Sequence, residues 1–170
     1  MPRAPKKTNA ARLLDQAAVA YRLAPYEVGA EHLAAHEVAA RIGLPPEQVF
    51  KTLVARGKER GVCFAVVPAT ASLDLKALAR LRGERRMELV SLAEVTPLTG
   101  YVRGGTTALG AKKDFPVCVD ETAELFSEIA VSAGQKGLQL VLDPADYLRV
   151  TAAALGPLGQ DPAGTNPSRT

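Results

Sequence analysis

VFKTLVARGKERGVCFAVVPA, residues 49–69, holds the clearest strand pattern in the chain. Two apolar runs rich in valine flank the charged segment RGKERG, residues 56–61. Runs of β-branched residues bounded by glycine read as strands. The spacing predicts a hairpin with strands over 51–56 and 62–68. Period two puts Val49, Lys51, Leu53 and Ala55 on one face of the first strand and Phe50, Thr52 and Val54 on the other. A tight hairpin in mid-chain breaks any regular βαβ alternation. The fold class expected is therefore α+β: a single domain with a curved, mostly antiparallel mixed sheet flanked by helices.

Outward from the hairpin, helical and strand patterns mix. TNAARLLDQAAVA (8–20) repeats Ala and Leu at helical spacing behind a Thr8 or Asn9 cap. YRLAPYEV (21–28) has strand character, with Pro25 pointing to an edge. HLAAHEVAARIG (32–43) reads as a helix stopped by Gly43, and LPPEQVF (44–50) as a short helical turn. After the hairpin come a helix over 72–83, a strand over 85–90 and a helix over 91–100. Ser91 and Glu94 of that helix have capping-box spacing. A Gly-rich strand and loop (101–110) leads to a strand over 115–120, a short helix over 121–126 and strands over 128–134 and 138–142. A last helix spans 143–154. LGPLGQDPAGTNPSRT, residues 155–170, lacks periodicity and reads as a flexible Gly/Pro-rich tail. Residues 1–7 read as a basic extension, which leaves 8–154 as the domain.

The chain has 170 residues, a length that fits one domain with a real core. No apolar run approaches the ~20 residues of a membrane helix, and the basic N-terminus lacks a secretory core. A cytoplasmic protein is expected. Cys63 and Cys118 sit in apolar strand patterns with no zinc spacing and read as small buried hydrophobes. His32 and His36, at i and i+4, read as a solvated pair on one helix face. With no third ligand, no metal and no cofactor is expected. The net charge of +3 tolerates a polyanionic partner without demanding one.

Three stretches could carry chemistry. Lys51 tops an apolar strand. Either it overlooks a cleft and presents charge to an anionic substrate, or it is a strand-end lysine whose stem covers apolar surface. GGTTALG, residues 104–110, lets a backbone approach a ligand through Gly104 and Gly105, with Thr106 and Thr107 adding hydroxyls; a plain turn or bulge has the same composition. VSAGQKG, residues 131–137, ends a strand in Ser132, Ala133 and Gly134, either as an oxyanion site or as an ordinary tight turn. Neither GxSxG nor SxxK surrounds Ser132, which argues against a classical nucleophile. The aspartates fall singly at capping and turn positions.

Taken in order, KTNAARLLDQAAVAYRLAPYE, GLPPEQVFKTLV, VVPATASLDLKALA, TGYVRGGTTALG and VSAGQKGLQL resemble the YbaK/EbsC-type aminoacyl-tRNA deacylases, and within them the bacterial Cys-tRNA(Pro) deacylase branch. The resemblance runs from about residue 6 to residue 153. It implies a trans-editing enzyme related to the editing domain of prolyl-tRNA synthetase. Such an enzyme hydrolyses a mischarged product that a size-based pocket fails to reject. The partners it implies are the acceptor end of an aminoacylated tRNA and, beside it, prolyl-tRNA synthetase. By the same resemblance, Lys51 is the essential lysine of a KT motif shared with Thr52, and positions the ester without attacking it. Tyr26 lines the pocket, Gly104, Gly105 and Thr106 face the aminoacyl group, and Ser132, Ala133 and Gly134 close the other side. The substrate's own thiol would attack its ester, a reaction that needs geometry and N–H donors more than a protein nucleophile.

The sequence departs from the family pattern at Ala108, where proline is common, at Ala133, where glycine is common, and at Gln139, where an acidic residue is frequent. A methyl group in a small pocket is worth about 1–3 kcal/mol of selectivity. Alternative readings are a deacylase for Ala-tRNA(Pro) or another small amino acid, a non-catalytic module that binds tRNA or a synthetase, and a metal-dependent hydrolase.

Overall fold

The structure, a computed structural model, describes residues 7–30 and 32–162. All but Lys7 of the N-terminal extension lies outside these residues. Helix α1 (Asn9–Gln16) is capped by Thr8, whose Oγ1 accepts from the Ala11 N–H at 3.2 Å. Strand β1 (Tyr21–Pro25) and helix α2 (Ala35–Ile42) follow, and a 3₁₀ turn at Pro46–Gln48 delivers the chain into β2 (Phe50–Gly57). Strands β2 and β3 (Gly61–Pro68) form the expected hairpin, with Lys51 opposite Val67 and Gly57 opposite Gly61. Then come β4 (Ser72–Leu73), α3 (Leu75–Arg82), β5 (Met87–Leu89), α4 (Leu92–Thr99), β6 (Val117–Asp120), a 3₁₀ turn at Glu121–Leu125, β7 (Ile129–Ser132) and β8 (Leu138–Leu142). Helix α5 (Pro144–Thr151), β9 (Ala154–Gly156) and β10 (Gly159–Gln160) complete the described chain.

The strands form two principal sheets and a ribbon rather than one curved sheet. The larger sheet has the order β5-β2-β3-β6-β9, the smaller β1-β8-β7, and β10 pairs with β4. Most pairings are antiparallel, while β6 runs parallel to both β3 and β9. As Pro25 suggested, β1 is an edge strand, where a missing N–H costs no ladder bond.

Period-two alternation partitions the hairpin between cores. Phe50, Val54, Phe64 and Val66 join Leu14, Ile129, Leu140 and Tyr147 in the main core between the sheets. Ala55, Cys63, Ala65 and Val67 face the other way and pack under Leu78 of α3, with Cys118. Both cysteines are buried and unbridged. Val49, Ala24, Ala130 and Val141 form a third cluster with Ala39 of α2.

Four expectations need correction. Residues 155–160 are not a flexible tail: β9 and β10 lie here, and Leu158 between them is fully buried. The Asp120 carboxylate accepts from the Leu158 and Gly159 N–H groups, both at 2.8 Å, and so pins the segment. A single anchoring leucine leaves no periodicity to read. The rest of that tail, residues 163–170, lies outside the described residues. Residues 101–110 contain turns and no strand. α2 begins at Ala35, so His32 precedes the helix and does not share a face with His36. The Ser91 hydroxyl donates to the Glu94 carboxylate at 3.3 Å instead of capping a backbone N–H, and Arg56 pairs with the same carboxylate at 2.7 Å.

Candidate functional site

A parallel bridge between Val49 and Ala130 joins the two principal sheets where β2 enters and β7 begins. Two residues beyond the bridge on each strand stand Lys51 and Ser132. Ser132 pairs with Gln139 of β8, and Gln139 pairs with Ala24 of β1. Because side chains two apart share a face, Lys51, Ser132 and Gln139 form a row on the side of the Val49 and Ala130 cluster. This row lies under a cavity of about 400 Å³.

The lining combines Tyr26 just after β1, Val38 of α2, Val49 and residues 50–54 of β2, Leu89 at the end of β5 and Val90 after it, Leu92 and Val95 of α4, Gly104, Thr106, Ser132 and Gln139. His32, Arg103 and Lys136 also border it. No carboxylate is among the described residues that line it. Leu89 and Leu92 are more than half exposed and form an apolar lip. The cavity is thus apolar in its walls and cationic in its charge.

Lys51 is partly buried, and burial holds its pKa below the ordinary lysine value. Its ammonium makes no hydrogen bond or ion pair with any described residue. Of the two sequence readings, the cleft-facing one agrees with this geometry. The pKa of His32 is lowered by partial burial and then by the Arg103 and Lys136 charges, which favours its neutral form. The Thr52 hydroxyl is buried without a completed hydrogen bond near the equally unpartnered Tyr147 phenol, whose pKa burial raises.

Of the other expected site residues, Tyr26, Gly104, Thr106 and Ser132 line the cavity, while Gly105, Ala133 and Gly134 do not. Gly104 has φ +85, and a Cβ there would lie 3.4 Å from Lys136 and 3.6 Å from His32. Gly105 packs on the 132–137 turn: a Cβ would sit 2.9 Å from Gln135 Cα. The two small-residue segments therefore interlock. Their N–H groups are largely spent inside the fold. Gly105 donates to the Val102 carbonyl at 2.9 Å, Ala133 to Leu138 at 3.1 Å, and Gly134 to Ser132 Oγ at 3.1 Å. The expected oxyanion donors of the Ser132–Gly134 turn are accordingly engaged. Ala133 is fully buried in the main core, so its methyl does not enter the cavity. Ala108 packs against that same core.

Sequence reasoning missed His32, Arg103 and Lys136. Arg103 and Lys136 do flank the two glycine-containing turns, a usable signal; His32 had none. Gln139 was noted only as a departure. It is 6% exposed, and its Oε1 has no hydrogen-bond partner. Among the described residues, no group of three or more His, Cys, Asp or Glu side chains could hold a metal, and no helix is long and apolar enough to cross a membrane.

The profile of the aminoacyl-tRNA editing domain matches residues 30–150, most of the chain and nearly all of the cavity lining. The chain belongs to this family. An Enterococcus faecalis relative assigned as a Cys-tRNA(Pro)/Cys-tRNA(Cys) deacylase, EbsC, is 40% identical over 146 residues, covering 86% of this chain and 89% of that one. The multifunctional Ser/Thr-tRNA deacylase ProXp-y of Escherichia coli K12 is 33% identical over 147 residues, covering 84% and 86%. A crystal structure described as a trans-editing enzyme for prolyl tRNA synthetase superposes with a TM-score of 0.78 at 25% identity, covering 94% and 99%. The editing-domain fold and this chain's architecture therefore coincide over almost their full lengths.

Proposed function

We propose that this aminoacyl-tRNA deacylase removes cysteine from mischarged Cys-tRNA(Pro), with the substrate thiol as nucleophile. The observation that carries the reading is the cavity itself. It offers an unpaired, partly buried lysine and further cations, and no carboxylate or cysteine among the described residues that line it. Its one serine, Ser132, already accepts from the Gly134 N–H, and no histidine bonds to it among the described residues. A site without an activated nucleophile suits a substrate that carries its own.

Lys51 would hold the 3′-terminal phosphate or ribose, and Tyr26, Thr52, Gly104 and Thr106 would enclose the aminoacyl end. The packed residues Gly105, Ala133 and Gly134 would shape that wall from behind. The substrate sulfur attacks the ester carbonyl carbon, a carbon–sulfur bond forms, the carbon–oxygen bond to ribose breaks, and the ribose hydroxyl takes the proton released by the thiol. The products are a thiolactone and free tRNA. Fixed orientation makes this step effectively unimolecular. Arg103 and Lys136 supply the charge that attracts the acceptor strand, beside prolyl-tRNA synthetase in the cytoplasm.

The test uses 2-aminobutyryl-tRNA(Pro), in which a methyl group of nearly the same size replaces the thiol. Rapid cleavage of the cysteinyl ester with the 2-aminobutyryl ester left intact supports the proposal. Equal cleavage of both would show that water is the nucleophile. A second reading is favoured by the hydroxyls of Thr106 and Ser132 and the Gln139 amide in the lining: hydrolysis of a hydroxyl amino acid ester, the class named for the Escherichia coli relative.

A further inference from the structure

The geometry points to Gln139 as the residue that receives the α-amino group of the aminoacyl ester, an inference that rests on the deacylase reading above. Gln139 is nine-tenths buried, lines the cavity, and leaves its Oε1 closed off without a partner, while its Nε2 also makes no hydrogen bond, so a half-turn of the amide breaks no bond and presents the oxygen to the cavity. An unsatisfied buried acceptor is costly unless a ligand completes it. Nothing in the fold needs a polar group there: the β8 neighbours Leu138 and Leu140 are core residues, and Val141, on the same face as Gln139, packs in the third cluster.

Register places the group relative to Lys51. From the Val49–Ala130 bridge, Lys51 is level with Ser132, and Ser132 is directly opposite Gln139. With paired strands about 4.8 Å apart and the two sheets diverging beyond the bridge, Lys51 and Gln139 stand at least roughly 10 Å from each other across the row. An ester held at its ribose or phosphate end by Lys51 extends its aminoacyl end toward Gln139.

The chemistry selects the α-amine as the group received. Ser132 Oγ already accepts from Gly134 N–H and Thr106 Oγ1 donates to the Val102 carbonyl, while the Thr52 hydroxyl lies on the opposite face of β2 from the Lys51–Gln139 row, beside the Tyr147 phenol. The charged groups among the described lining residues, Lys51, Arg103 and Lys136, are cations, which repel an ammonium and offer no acceptor. The Gln139 amide oxygen takes an N–H from the amine, and its neutrality means that it does so without demanding the ammonium form. Gln139 is thus a specificity residue that requires an α-amino acid ester, whatever its side chain.

The experiment compares cysteinyl-tRNA(Pro) with 3-mercaptopropionyl-tRNA(Pro), which keeps the thiol and lacks the amine. Single-turnover rates at subsaturating enzyme are measured for wild type, Gln139→Met, Gln139→Glu and Lys51→Ala. Referring each variant's ratio to that of wild type cancels the esters' intrinsic reactivities. Gln139→Met should lose about tenfold of the preference for the amine-bearing ester, the size of one lost buried hydrogen bond. Gln139→Glu, which keeps an acceptor, should retain the preference. Lys51→Ala should slow both esters alike. The inference is overturned if Gln139→Met, folded by its thermal transition, keeps the wild-type ratio, or if it changes selection between cysteinyl and alanyl esters while leaving that ratio intact. A wild type that leaves every ester intact would overturn the deacylase reading and this inference with it. Activity with an unchanged ratio in Gln139→Met would overturn the inference alone.

Discussion

At the scale of the residue, the proposed function turns on Lys51. Its burial disfavours the charged form, so its pKa lies below the usual lysine value. If its charge grips the substrate, deacylation must fall as pH rises through that lowered pKa, earlier than a solvent-exposed lysine would dictate. Lys51→Arg, whose guanidinium stays charged to pKa above ~12, should move this alkaline limb upward while losing some rate through altered geometry. A pH–rate profile of both proteins checks this, and superimposable alkaline limbs would contradict it. The lysine was legible because a cation at the head of VFKTLV is out of place on an apolar strand. The use of the Ala133 and Gly134 N–H groups was not legible. Whether a turn donor faces a ligand or closes its own hairpin depends on partners such as Leu138 that lie several residues on.

At the scale of the element, the β2–β3 hairpin was readable in full, since alternation and glycine spacing both specify it. Its lock was not. Glu84, just beyond α3, accepts from the Glu59 and Arg60 N–H groups at 2.9 and 3.0 Å and so ties the turn down. Those bonds favour the carboxylate and lower its pKa. A depressed carboxyl pKa contributes stability above the unfolded value, and that stability is lost as pH falls through the folded value. Glu84→Gln should therefore lower the melting temperature at neutral pH, and the gap to wild type should shrink in acid. Thermal melts from neutral to acidic pH measure it; a gap independent of pH would count against the lock. The short strands β4, β9 and β10 escaped notice because two or three residues carry no period.

At the scale of the whole molecule, the cavity exists because two sheets meet at one bridge and then diverge, with α2 and α4 beside the opening. The segment that ends the described chain packs with α3 on the larger sheet, on the face away from the main core. Leu158 contributes about 2 kcal/mol by full burial, and Asp120 satisfies the N–H groups that bring it there. Asp120→Ala should destabilise the fold by about 1–3 kcal/mol, the cost of leaving such donors unpaired. Urea unfolding checks this, and a midpoint equal to wild type would contradict it. The mixed architecture followed from the interrupted alternation of elements. The division into two sheets did not, because Val49 and Ala130 are 81 residues apart and meet through only one bridge.

The central claim is that this cavity edits a mischarged tRNA and that Lys51 is essential to it. Single-turnover deacylation of Cys-tRNA(Pro), Ala-tRNA(Pro) and Pro-tRNA(Pro) by wild type and Lys51→Ala tests it most directly. The account predicts fast loss of cysteine, little loss of proline, and a defect of about 100-fold or more in the variant. A wild type that binds Cys-tRNA(Pro) yet leaves its ester intact, or a Lys51→Ala protein as fast as wild type, would contradict it.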